Sequence, residues 1–178
     1  MNGQRSLRCL IISDQLIPGV SRHGACYDVF QMTRDCGSVY LESDFATESH
    51  TGTFDLVLIS GHANDRGSFI DIDGVELSIS KHLATIRSRV VYLNACDAGQ
   101  NADLIAEYFT TFGAEWVVAP VSEVPWGKHD NAATRTFAHY LLAGLDVTDA
   151  VPACDRLWPA ENPYRVFRPN VDKQNLSD

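Results

Sequence analysis

The chain has 178 residues, 45% hydrophobic and 21% charged, the composition of a globular domain with one core. Its 23 acidic and 14 basic side chains leave a formal charge of −9, which argues against a nucleic-acid partner. No apolar run approaches the ~20 residues of a membrane span, and Met1 to Ile12 lacks a long apolar leader. A cytoplasmic protein without a membrane partner is therefore expected. The five cysteines are odd in number, spread out, and form no C-x-x-C pair, so neither a disulfide framework nor a zinc site is suggested.

Short apolar runs alternate with helical stretches, which predicts an α/β domain with a mostly parallel sheet. Leu7–Ile12 reads as the first strand. The turn-rich segment Ser13–Gly24 leads to a helix over Ala25–Asp35, stopped by Cys36-Gly37. Val39–Leu41 is a short second strand and Leu56–Ser60 a third, ending on Gly61-His62. Ser68–Ile72 and Val75–Ser78 flank Asp73-Gly74, a two-residue hairpin signal. A helix near Ile79–Ile86 follows, then the strand Val90–Leu93 running into Asn94-Ala95-Cys96-Asp97-Ala98-Gly99. Apolar residues at 105, 108, 109 and 112 predict a helix over Ala102–Phe112. Trp116–Ala119 is a fifth strand closed by Pro120. Helices over Asn131–Leu142 and Val147–Leu157, and an edge strand at Arg165–Phe167, complete a domain spanning residues 1–168. The polar end, residues 169–178, reads as a frayed tail.

In open α/β sheets, ligands bind beyond the carboxyl ends of the strands. His62 and Cys96 both stand just past such ends, 34 residues apart, room for a hairpin and a crossover between parallel neighbours. If the two strands are adjacent, their backbones lie ~4.8 Å apart and imidazole and thiol face one cleft. A thiolate nucleophile needs such a base beside it. A lone cysteine on an inner strand is more often plain core, so the pairing, not either residue alone, carries the expectation. Gly19–Gly24 has phosphate-loop spacing, but Ala25-Cys26 replace the Lys-Ser/Thr that contacts phosphate, so no nucleotide cofactor is expected. No histidine spacing indicates a metal.

Leu58-Ile59-Ser60-Gly61-His62, then the Asp-Gly hairpin, then Val91-Tyr92-Leu93-Asn94-Ala95-Cys96-Asp97-Ala98-Gly99 resembles the caspase-like cysteine peptidases, most closely their CHAT, separase-related branch. Gly113–Pro120, Val124-Pro125-Trp126 and Leu141–Val147 resemble it in order and spacing. The likeness covers roughly Leu56 to Ala150, with a weaker echo over Leu7–Phe30. It implies a caspase-like three-layer sandwich, a mostly parallel sheet of about six strands with a small β-hairpin between the His and Cys strands. The implied activity is peptide-bond hydrolysis without a cofactor, by a thiol protease acting as a regulated bacterial effector in defence. Cys96 would be nucleophile and His62 general acid/base, with the oxyanion held by the backbone N–H groups of Ala63 and Cys96.

The same resemblance gives two opposed selectivities. Gly19–Gly24 is similar to the loop whose arginine holds a substrate aspartate, so Arg22, with Asn94, would bind an acidic P1 side chain. Asp14, Asp97 and Glu123 would instead favour Arg or Lys, with Trp126 lining the groove. The implied partners are a protein or peptide substrate and a separate regulatory or sensor protein. Two departures stand out: Ala63 replaces the usual glycine after the histidine, and Ala98-Gly99 replaces Ser-Gly. They leave an inactive, protein-binding adaptor as the second reading. A receiver-like domain would want clustered acidic residues at the first strand's end, where only Asp14 stands.

Overall fold

The most continuous apolar runs become the two central strands, β3 (Gly52–Ser60) and β6 (Ile86–Asn94). The computed structural model describes residues 7–13, 39–44, 51–70, 74–76, 86–124, 136–157 and 164–169. Each central strand begins four residues before its apolar run, at Gly52 rather than Leu56 and at Ile86 rather than Val90. The added residues alternate, with Phe54, Ile86 and Ser88 buried and Thr53 and Arg87 exposed. Such half-covered strand is invisible to a search for unbroken hydrophobicity. Ile86, assigned above to a helix, therefore opens β6; the rest of that helix, and the helix over Ala25–Asp35, lie outside the described residues.

Around this pair the sheet has six strands in the order β2-β1-β3-β6-β7-β8, adding β1 (Arg8–Ser13), β2 (Val39–Asp44), β7 (Trp116–Pro120) and β8 (Tyr164–Phe167). The first five are parallel, and β8 closes the edge antiparallel to β7. Between β3 and β6 in sequence, β4 (His62–Ala63) and β5 (Phe69–Ile70) form a separate antiparallel pair, which an isolated bridge from Ile70 to Glu76 continues. The hairpin expected at Asp73-Gly74 thus corresponds to the Ile70–Glu76 bridge, with residues 71–73 outside the described set.

Helices lie on both faces. On one, α1 (Ala102–Thr111) lays Ile105 and Tyr108 against Leu10, Ile12, Val57, Ile59, Val91 and Leu93. Asn101 caps it, its side chain accepting the Leu104 N–H at 3.0 Å. On the other, the helical residues 136–142 (α2) and α3 (Val147–Leu157) pack Phe137, Leu141, Leu142, Val147 and Val151 over Leu56, Leu58, Val90 and Tyr92. Central strands covered on both sides are why their runs are apolar throughout. No helix among the described residues is long and apolar enough to cross a membrane.

Candidate active site

β3 and β6 are hydrogen-bonded neighbours, and their last register partners are Ser60 and Asn94. One more bond, from the Gly61 N–H to the Asn94 carbonyl at 3.2 Å, holds the strands together before they diverge. His62 and Cys96 each follow that pair by two residues, so both emerge from one edge of adjacent parallel strands. Both are half-buried, open to solvent on one side and supported on the other.

Their facing follows from what their neighbours pack against. Ala63 rests on the core layer beneath α1. Successive side chains of an extended segment point to opposite faces, so His62 is turned toward the other layer. Cys96 packs on that other layer, with Tyr92, Val124 and Tyr164. The topology brings the two residues to the same edge of the sheet, each two positions past the Ser60–Asn94 pair.

Among the described residues, two backbone N–H groups beside them have no partner. The hairpin's bond from the Asn64 N–H to the Ser68 carbonyl, 2.9 Å, sets the phase of the β4–β5 ladder. Bonded pairs alternate with non-bonded ones, so Ala63, opposite Phe69, is non-bonded and its N–H points away from β5. Ala63 is extended, since Asp97 is the one non-glycine residue with positive φ among those described. Its methyl group therefore brings no backbone strain. At Cys96, among the described residues, no partner takes the N–H.

Asp97 turns the chain immediately after Cys96, at φ 56°, a left-handed conformation that Asp tolerates better than most residues. Its N–H bonds the Ser122 carbonyl at 3.2 Å, and its carboxylate accepts from Gln100 Nε2 at 2.7 Å. Gln100 also reaches the Val121 carbonyl at 2.9 Å, and the Val124 N–H donates to Cys96 Sγ at 3.4 Å. The segment leaving β7 is thus strapped along the cysteine turn. Gly99 sits so close to it that a Cβ would lie 2.8 Å from the Pro120 carbonyl oxygen.

The other expected site residues are dispersed. Asn94 is 8% exposed, its Nδ2 donating to Ser60 Oγ at 3.2 Å and its Oδ1 accepting from the Tyr164 hydroxyl at 2.6 Å. Both ends of its amide are thus engaged within the fold. Glu123 is exposed on the strap beside Val124. Arg22, Trp126 and Asp14 lie outside the described residues. Sequence reasoning missed Val124 and Ser60, one a backbone donor with no residue signature, the other a common strand-end serine. A separate groove of about 910 Å³ runs between the hairpin and the start of α1, lined by Asp65, Arg66, Glu76, Asp103 and Glu107 among others. It includes neither His62 nor Cys96.

No family model matches the sequence, and no curated protein matches it. Among solved structures it is similar to a Streptococcus pneumonia TIGR4 flavodoxin, with a TM-score of 0.50 and 13% identity. The match covers 78% of this chain and 99% of that one. The likeness is one of fold. Omitting the small hairpin, the five parallel strands run 2-1-3-4-5, the doubly wound order in which ligands sit at the strands' carboxyl ends.

Proposed function

We propose that this chain is a cysteine endopeptidase of the caspase-like, CHAT type, acting through a Cys96–His62 dyad. The reading rests on one relationship, the placement of both residues two positions beyond the Ser60–Asn94 register pair. The finer architecture goes with it: a three-layer sandwich whose six-stranded sheet carries a hairpin between the His and Cys strands is what the sequence resemblance implies.

The chemistry is acyl transfer. His62 takes the Cys96 thiol proton as the sulfur attacks the scissile carbonyl carbon, forming the C–S bond. The N–H groups of Ala63 and Cys96 receive the developing oxyanion. As the C–N bond breaks, His62 gives the proton to the leaving amine. Water then attacks the thioester with His62 as base, releasing the acid and the thiol. No cofactor enters. The partners are a protein or peptide substrate and a separate regulatory protein.

Iodoacetamide labelling mapped by mass spectrometry tests this, with His62→Ala as control. Fast labelling of Cys96 that falls at least about ten-fold in the control supports the dyad. Labelling of Cys96 no faster than that of an ordinary exposed thiol, and indifferent to His62, favours the adaptor. A peptide panel varying P1 then separates the two selectivities: cleavage after Asp assigns Arg22, and cleavage after Lys or Arg assigns the set Asp14, Asp97 and Glu123.

A further inference from the structure

The same strand ends carry a buried polar chain that the hydrolytic steps do not use. Tyr164, at the start of β8, stacks on Tyr92 with ring centroids 4.9 Å apart. Its hydroxyl crosses to Asn94 at 2.6 Å, and Asn94 continues to Ser60 at 3.2 Å. All three residues are nearly sealed from solvent, at 2%, 8% and 5% exposure. The chain therefore joins three strands, β3, β6 and β8, at the level where the main-chain ladder between β3 and β6 gives out.

We infer that Asn94, held by Tyr164 and Ser60, is the positioning residue that fixes the separation of Cys96 from His62; the inference rests on the peptidase reading above. The argument is geometric. Beyond Gly61, among the described residues, no main-chain bond joins the two strand ends directly, and each chain turns away, one into the hairpin and one into the left-handed turn at Asp97. The Asn94–Ser60 bond is a side-chain tie at that level, two residues before both reacting groups. Tyr164 supports it from the far side, its hydroxyl on Oδ1 orienting the amide so that Nδ2 meets Ser60. Its register partner is Pro120, so the tyrosine spans the end of β7 to reach β6. A buried amide whose oxygen and nitrogen both meet fixed partners is rotationally locked. All three residues being nearly sealed from solvent, the network acts through the spacing of His62 and Cys96. Errors near 1 Å in such spacing cost roughly 10²-fold in rate.

The test uses the intact protein with Tyr164→Phe and Ser60→Ala, each of which removes one bond and little volume. Cys96 alkylation by iodoacetamide is followed against pH, beside wild type and His62→Ala, with thermal unfolding of each variant. The expected result is a pH profile in both variants displaced toward that of His62→Ala, with the neutral-pH rate down about ten-fold. Profiles that match wild type, whatever the change in unfolding temperature, overturn the positioning role and leave the dyad standing. A wild-type profile already identical to that of His62→Ala overturns the dyad and the positioning role together.

Discussion

Gly67 lies against the backbone of Asp97 with no space between them for a side chain. A Cβ at Gly67 would collide with the Asp97 carbonyl oxygen and sit 2.9 Å from its carbonyl carbon. Gly67 belongs to the hairpin loop that follows His62, and Asp97 follows Cys96, so this contact is where the two candidate loops meet. The Asn101 side chain adds a second tie, donating to Ser68 Oγ at 3.2 Å. The segments that carry His62 and Cys96 are therefore held from their carboxyl side by loop packing as well as from their strand side by the sheet.

The contact makes Gly67→Ala a sensitive substitution. Gly67 has φ +73°, which an alanine adopts at a cost of about 1 kcal/mol, and the backbone collision adds an overpacking cost. The expected loss of stability is about 2–4 kcal/mol, read from urea denaturation. Cys96 labelling should slow in the folded variant, because the hairpin must retreat from the cysteine turn. An alanine variant with wild-type stability and labelling would mean that the loops are not in register as described.

The N–H of Ala63, without a partner among the described residues, gives a separate handle on the proposed oxyanion site. Ala63→Pro removes that donor and nothing from the ladder, because the Ala63–Phe69 pair is non-bonded. A proline also asks the preceding residue to be extended, which His62 already is. Peptide turnover should fall about 10²–10³-fold in kcat, the usual effect of losing one oxyanion donor. Alkylation of Cys96, which needs no oxyanion, should change much less. Equal losses in both assays would instead indicate a collapsed hairpin.

How much of this was legible in the sequence depended on whether the signal was local. Leu7–Ile12, Trp116–Ala119 and Val147–Leu157 were legible because strands covered on both faces, and a helix with one buried face, write unbroken or periodic apolar patterns. Strand beginnings such as Thr53-Phe54 and Arg87-Ser88 were not, because alternation over three or four residues looks like loop. At the site, His62 and Cys96 could be named because their side chains carry chemistry. The partners of Asn94 are not legible there: Tyr164 is 70 residues away, and nothing local announces a bond between them. Val124 contributes only its main-chain N–H, which any residue but proline supplies.

Cys9 provides a reference thiol for every labelling experiment. It is fully buried in the sheet, and burial, with a smaller push from the Asp55 carboxylate, raises its pKa from 9.0 to about 12. At pH 8 only about one in ten thousand such thiols is ionised, so it should stay unlabelled until the protein unfolds. The same shift has a consequence for stability. The folded state retains a proton that the unfolded chain loses, so the stabilisation is complete below pH 9 and drains away as pH rises toward 12. The slope is at most about 1.4 kcal/mol per pH unit. Denaturation curves at pH 8, 9.5 and 10.5 should fall in wild type and fall less steeply in Cys9→Ala.

Tyr108 should be the position where removing an atom stabilises the protein. Its ring lies in the layer beneath α1, 5.1 Å from the Phe112 ring, and its hydroxyl has no hydrogen-bond partner among the described residues. Burial first, and the neighbouring Glu107 second, push its pKa well above 10. An unmet buried hydroxyl costs about 1–3 kcal/mol, whereas the ring's packing is retained by phenylalanine. Tyr108→Phe is therefore expected to gain about 1 kcal/mol, seen as a higher urea midpoint with an unchanged slope. The gain should widen above pH 10, where ionisation favours the unfolded wild-type chain and the variant has nothing there to ionise. A loss of stability in Tyr108→Phe would mean that the hydroxyl meets a partner in solution, and the packing of α1 on the sheet would then need revising.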